Sequence, residues 1–409
     1  MSKSRSTSSK KRTTNGQRVT IGGVAGIVIV AIVMLAQYAL GIDVLETEED
    51  TIPPTSMQAP ADIGGATTTL TAIPGGYDGG WFQLYFTSPI NTEDESQFTG
   101  APIENALVAA IDGAQRSVDM AVFEFNSQPI TDALLRAHER GVQVRAVTDG
   151  DYGLEDPETT LDQLEDAGIE VVSDEGRGAY MHDKFFIIDG TYVWTGSTNI
   201  THNGIYNNNN NAMLIRSTQL AQNYQEEFDE LFAGEFGATS PGEILNPNIV
   251  VNGTEIETFF EAEGNLSNGH DLPTRLAALV DDAHTVRFMA FVLTRSDLMD
   301  PMIERATSGE LDVMGIVERS QRRYTTSMMC AGLQVRQDGN PDVFHHKVFI
   351  IDDDIVVMGS FNFSASAADN NDENVLIIHN AAVAGAYLQE FERRWAEATP
   401  VAAEDLSCS

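Results

Sequence analysis

The chain contains two histidine–lysine pairs of the form H-x-K, His182 with Lys184 and His345 with Lys347. Each pair opens a longer string, H-x-K-x4-D-x6-G-S-x-N. The first runs through Asp189, Gly196 and Ser197 to Asn199; the second runs through Asp352, Gly359 and Ser360 to Asn362. Every member of the second string lies 163 residues after its counterpart, so the two copies match without a gap. An imidazole can serve as nucleophile or proton carrier, an ammonium supplies positive charge, and asparagine and serine supply hydrogen bonds. Two such sets facing one another can enclose a tetrahedral phosphate and neutralise the charge that builds on it during transfer. Lysine usage supports this reading. After the N-terminal tail the only lysines are Lys184 and Lys347, and the remaining basic side chains are arginine or histidine.

Residues two apart on a strand point to the same face. His182 and Lys184 therefore project together, as do His345 and Lys347, while the apolar residues that follow build a sheet. His346 falls on the opposite face and is left out of the chemistry. Asp189 with Gly190, and Asp352 to Asp354, are turn signals. A second strand then returns the chain so that Asn199 and Asn362 rejoin their histidine–lysine pairs.

The doubled motif resembles the HKD signature of the phospholipase D superfamily, and the repeat that carries it covers residues 81–395. The resemblance implies two α/β halves related by a pseudo-twofold axis. It also implies one site at their interface, a phosphohistidine on one histidine and general acid–base work by the other, with no metal and no cofactor. By motif position, Lys184, Lys347, Asn199 and Asn362 would hold phosphate oxygens, with Ser197 and Ser360 close by. Asp189 and Asp352 complete the catalytic signature, with an architectural role rather than contact with substrate. Many members of the superfamily carry a downstream carboxylate that hydrogen-bonds a catalytic histidine. The second half has Glu373 there, and the first half has Asn210, again 163 residues earlier. The expectation is that Glu373 supports His345 and that Asn210 lies beside His182. That would make His345 the general acid and His182 the nucleophile.

The elements that must position these residues also repeat. A helical pattern at 103–112, a buried strand at 117–125, an amphipathic helix at 129–141 and a strand at 142–149 are answered in the same order by 275–283, 285–293, 297–309 and 311–318. Alternating apolar strands and helices indicate an α/β fold with mostly buried sheets. The expected fold is two phospholipase D-like α/β repeats with pseudo-twofold symmetry, 79–239 and 240–398, preceded by one N-terminal transmembrane helix. Residues 236–253, rich in glycine, proline and asparagine, read as the connection, and 399–409 as a C-terminal tail.

Composition bounds the partners. The chain of 409 residues has a net charge of -37, and its first acidic residue is Asp43. Beyond residue 42 there are 18 basic and 61 acidic side chains. Such a surface repels polyanions and lacks the basic stripe of a duplex-DNA binder. The apolar run 19–42 has the length of a bilayer-spanning helix, roughly 20 residues. The basic tail 1–18 before it predicts a cytoplasmic N-terminus with the catalytic part outside. A cleaved signal peptide is the rival, disfavoured by the length of the run and by the lack of a small-residue cleavage site. Residues 43–78 read as a flexible linker. Cys330 and Cys408 lack metal-ligand spacing; either a disulfide or two free thiols fits them. The expected activity is hydrolysis of phosphodiesters, first of phospholipids, at a membrane and without need of a second copy to complete the site. An endonuclease, a phosphatidyl transferase of the cardiolipin-synthase kind and an inactive scaffold are the alternatives.

Overall fold

A computed structural model describes residues 68–408 apart from 93, 243 and 263–270. The expected membrane helix 19–42 and most of the expected linker lie outside the described residues. Among the described residues no helix is long and apolar enough to cross a membrane.

The first half contains β1 (Thr71–Ile73), β2 (Gly76–Asp78), β3 (Phe82–Phe86), α1 (Pro102–Gly113), β4 (Ser117–Val122), α2 (Gln128–Glu139) and β5 (Gln143–Thr148). It continues through α3 (Leu161–Asp166), β6 (Glu170–Ser173), β7 (Lys184–Ile188), β8 (Tyr192–Gly196), β9 (Asn211–Arg216) and α4 (Thr218–Phe232). The second half contains β10 (Asn248–Val251), β11 (Thr254–Glu261), α5 (Leu272–Asp282), β12 (Thr285–Ala290), α6 (Ser296–Ser308), β13 (Asp312–Val317), α7 (Thr326–Cys330) and β14 (Gln334–Gln337). It ends with β15 (Lys347–Ile351), β16 (Ile355–Gly359), α8 (Ala365–Asp369), β17 (Glu373–His379), α9 (Ala381–Glu397) and β18 (Thr399–Pro400).

The sheet orders are β1-β2-β3-β9-β8-β7-β4-β5-β6 and β10-β11-β17-β16-β15-β12-β13-β14-β18. Strands β3 to β9 match β11 to β17 one for one, and in each sheet three strands (β4-β5-β6 and β12-β13-β14) are parallel. The motif strands β7 and β15 lie inside their sheets and are buried along their whole length. Consecutive apolar residues suit strands covered on both faces.

The halves share a core. Tyr224 of α4 packs edge-on against Phe260 of β11, with ring centroids 5.2 Å apart. Tyr387 of α9, its counterpart 163 residues on, packs edge-on against Phe86 of β3 at 5.2 Å. One cluster of buried side chains therefore runs from each sheet, through α4 and α9, into the other. A separate core under each sheet's outer helices belongs to that half alone.

Three boundaries differ from the sequence reading. The linker ends before residue 78, because Thr71–Ile73 and Gly76–Asp78 pair as a hairpin. The connection 236–253 contains β10, joined to β11 through Asn252 and Gly253, both with positive φ (49° and 82°). Asn-Gly is the two-residue turn that suits the twist of a hairpin. The C-terminal tail is not free, since β18 pairs with β14 and Cys408 forms a disulfide with Cys330, with Cα atoms 5.6 Å apart.

Candidate active site

The site is built where the two motif segments cross into the opposite half. The amide of His182 donates to Asp372 O at 3.0 Å, and the amide of Asp372 donates to Tyr180 O at 3.0 Å. The mirrored pair is His345 N to Asn209 O at 3.0 Å and Asn209 N to Val343 O at 2.9 Å. These short bridges obey the same 163-residue offset, so the pseudo-twofold axis runs between them. Each histidine is thereby held against the strand that leads into the other half's downstream polar residue.

This geometry reverses the expected pairing. Glu373 does not reach His345; its Oε2 lies 2.8 Å from His182 Nδ1. Asn210 is not beside His182; its Oδ1 lies 2.9 Å from His345 Nδ1, which also faces Ser197 O at 3.1 Å. The physical reason is the pair of bridges: residue 373 follows Asp372, which is bonded to the His182 segment. In both histidines an acceptor faces Nδ1. Nδ1 therefore carries the proton and Nε2 the lone pair.

Ser197 and Ser360 are not free to hold phosphate. Ser197 Oγ donates to Asn210 Oδ1 at 2.8 Å and accepts from the Asn211 amide at 3.1 Å. Ser360 Oγ donates to Glu373 Oε2 at 2.6 Å and accepts from the Asn374 amide at 3.0 Å. The serines position the groups that orient the histidines. The glycine before each serine is required by close approach: a Cβ on Gly196 would meet Asn211 O at 2.3 Å, and one on Gly359 would meet Asn374 O at 2.1 Å.

Lys184 and Lys347 are buried, with 2% and 1% of their surface exposed. Lys184 Nζ donates to His182 O at 2.7 Å. Lys347 Nζ lies 3.0 Å from His345 Nε2 and 3.2 Å from His345 O. Phe123 and Phe291 form matching walls. Their ring centroids lie 4.8 Å from the His182 ring and 4.9 Å from the His345 ring. The lysine nitrogens lie over the same rings at 5.0 and 5.1 Å. Asn199 donates Nδ2 to Glu124 at 2.5 Å. Asn199 Oδ1 and Asn362 Oδ1 are buried with no partner among the described residues.

Asp189 and Asp352 stand apart from this cluster, about 16 Å along the strand from their lysines at roughly 3.3 Å per residue. Asp189 accepts the backbone amides of Gln115, Arg116 and Ser117, and Asp352 those of His284 and Thr285. Both have positive φ in the β-turn after the motif strand. They tie that turn to the start of the neighbouring strand. His346 lies on the far face, between Asn211 (3.1 Å) and Glu390 (3.2 Å).

Burial and then the two ammonium groups hold His182 well below the usual imidazole range. Burial, Lys347 and Lys184 do the same to His345. Burial also lowers Lys184 to about 8, opposed by Glu373 and Glu124, and burial together with the Lys184 ammonium holds Lys347 well below its usual range. Burial pushes Glu373 up to about 8, opposed chiefly by Lys184. Each cation weakens its neighbours' hold on a proton. Among the described residues, no group of three or more histidine, cysteine or carboxylate side chains is placed to hold a metal ion.

Sequence reasoning missed Glu124, Phe123 and Phe291. The phenylalanines carry a signal, since each directly follows one of the repeated strands, β4 or β12. Glu124 carries none: its carboxylate has no matching residue in the other half.

The two-repeat α/β fold and the paired H-x-K motifs place the chain in the phospholipase D superfamily. Within it, the chain belongs to the family described as "Cardiolipin synthase, PLD-like domain", which matches residues 107–232 and 277–395. It is 40% identical over 126 residues to the mitochondrial cardiolipin hydrolase of Xenopus laevis, covering 31% of this chain and 59% of that protein. It is 34% identical over 122 residues to a phospholipase D of Rickettsia prowazekii, covering 30% of this chain and 58% of that protein. The matched segments thus span less than two thirds of these relatives' length. In fold it is similar to the phosphatidylserine synthase of Haemophilus influenzae, with a TM-score of 0.58 at 14% identity over 74% of this chain and 86% of that one.

Proposed function

We propose that this chain hydrolyses phosphodiesters, phospholipids first among them, through a covalent phosphohistidine on His182. The observation that carries the reading is the crossed support of the histidines, a carboxylate on His182 and a neutral amide on His345. Attack by His182 Nε2 on phosphorus makes an imidazolium phosphoamide, and Glu373 stabilises that cation through Nδ1–H. The bond from phosphorus to the leaving alcohol breaks as its oxygen takes a proton from His345. Lys347 lies within hydrogen-bond reach of His345 Nε2, so a proton can be shared between them while the substrate's negative charge favours the protonated form. His345 then accepts a proton from water as that water attacks phosphorus. The products are a phosphomonoester and an alcohol, and His182 regains its lone pair. Lys184, Lys347, Asn199 and Asn362 hold the phosphate oxygens where charge accumulates.

The lipid reading is supported by the names of the relatives and by the apolar run 19–42, which would tether the site to a bilayer from outside the cytoplasm. The test is to incubate the purified protein, with chelator present, with vesicles of defined phospholipids, with short-chain alcohols as competing acceptors, and with single- and double-stranded DNA. Release of headgroup alcohol from lipid supports the proposal. Activity confined to DNA would make the chain a nuclease, and products formed only with added alcohol would make it a transferase.

A further inference from the structure

The pseudo-twofold symmetry of the site fails at one charged position. Val122 pairs with Lys184 and Ala290 pairs with Lys347, which aligns β4 with β12. Phe123 and Phe291 follow and wall the two histidines equally. Phe125 and Leu293 come two residues later and make matching bridges to Ile200 and Phe363. The residues enclosed by these matches are Glu124 in the first half and Val292 in the second. Glu124 is half-buried, and its Oε2 accepts Asn199 Nδ2 at 2.5 Å. It interacts electrostatically with both Lys184 and Lys347. Asn362, on the valine side, has no carboxylate at the equivalent place, and its Oδ1 is buried without a partner among the described residues.

We propose that Glu124 is a resident anion of the phosphate site: its carboxylate takes the Asn199 amide and the field of Lys184 and Lys347, so that a diester must compete with it. The inference rests on the phosphodiester reading above and adds to it a limit on when the site binds.

The groups that face Glu124 are Lys184 from β7, Lys347 from β15, Asn199 after β8 and Asp156 from the loop before α3. Burial raises its carboxyl above the usual range, and Asp156 adds to this, while the two lysines and Asn199 oppose it. Below its pKa the group is neutral and does not repel a phosphate. Above it the carboxylate is charged and competes. Binding of an anion should therefore weaken as pH rises through this titration, in addition to any loss from the lysines. The other half supplies the conservative replacement, since a valine occupies the equivalent place between the same neighbours.

The test uses the full chain as wild type, Glu124→Gln and Glu124→Val, with inorganic sulfate as probe, because its charge is constant between about pH 5 and 9. Calorimetric titration at pH 5.5, 7 and 8.5 should show wild-type affinity falling with pH. Both variants should bind about tenfold tighter than wild type at pH 8.5, and the difference should narrow as pH falls, since a like charge at this range is worth about one pK unit or more. The Michaelis constant for a soluble diester should follow the same pattern. Equal pH dependence in all three proteins, or weaker binding by both variants at pH 8.5, would overturn the proposal alone. No sulfate binding by any of them at any pH would overturn the phosphate-site reading, and this proposal with it.

Discussion

Glu373, the first residue of β17 in the second half, accepts the Nδ1 proton of His182 in the first half over 2.8 Å. The corresponding position, Asn210, serves His345 from the other side at 2.9 Å. The two histidines are alike in burial, but a carboxylate faces Nδ1 of His182, whereas an amide oxygen and a backbone carbonyl face Nδ1 of His345 and Lys347 reaches its Nε2. A carboxylate can stabilise a lasting positive charge on the ring it touches; an amide oxygen can only orient its ring.

Glu373→Gln keeps the shape of the side chain and removes the charge. On the proposed mechanism it should lower kcat for a soluble diester by roughly 10²–10⁴-fold, the range of acid–base contributions in enzymes. Asn210→Ala should cost less, because His345 Nδ1 retains Ser197 O as an acceptor. Steady-state kinetics on both variants checks the order. A larger loss in Asn210→Ala than in Glu373→Gln would assign the charged intermediate to His345.

The dependence of kcat/KM on pH follows from the cations. With p-nitrophenol as leaving group no general acid is needed, so an acid limb near 6.5 would report the nucleophile, while Glu373, raised to about 8, titrates above that value. His182 must be neutral to attack. Burial and the lysines lower its pKa, so it stays neutral below pH 6.5, and activity should not fall on acidification through that value. On the alkaline side both lysines, held below their usual range with Lys184 at about 8, lose the charge that would hold phosphate, and activity should decline as pH rises through that range. An acid limb centred near 6.5 would contradict this.

A second layer of the interface lies under the site. Asn374 Nδ2 donates to Asp183 at 2.5 Å, and its Oδ1 accepts from Thr195 at 2.5 Å and from Tyr224 at 3.2 Å. Asn374→Leu would leave a buried carboxyl and two hydroxyls without their partner. The expected loss is about 3–5 kcal/mol of stability, as when one member of a buried polar network is removed. The midpoint of a urea titration measures it, and a change below about 1 kcal/mol would mean that the halves do not depend on this contact.

Much of the site was legible in the sequence because the chemistry sits in a short repeated string. His182, Lys184, His345 and Lys347 could be paired by strand period alone, and the 163-residue offset matched the halves. The exchange of Glu373 and Asn210 between histidines could not be read this way. An internal repeat says which residues are equivalent, not which half's histidine each one meets, and that depends on the bridges Met181 to Asp372 and Asn209 to Phe344. Glu124 was invisible for the opposite reason: repetition draws attention to what recurs, and it does not recur. The β10–β11 hairpin did carry a local signal, Asn252-Gly253 between apolar runs, which composition disguised as part of a linker. The strand β18 carried none, since two residues gain their pairing only from the sheet edge they reach.

Transfer of phosphorus to His182 can be trapped directly. A reaction with a labelled soluble diester is quenched in alkali, where phosphohistidine survives, and the label is mapped by peptide. The wild type should carry it on His182. His345→Ala should still accumulate label when the leaving group departs without a proton, and it should hydrolyse the label slowly because the base for water is gone. His182→Ala should remain unlabelled. Label on His345 in the wild type, or label retained in His182→Ala, would mean that His182 is not the nucleophile.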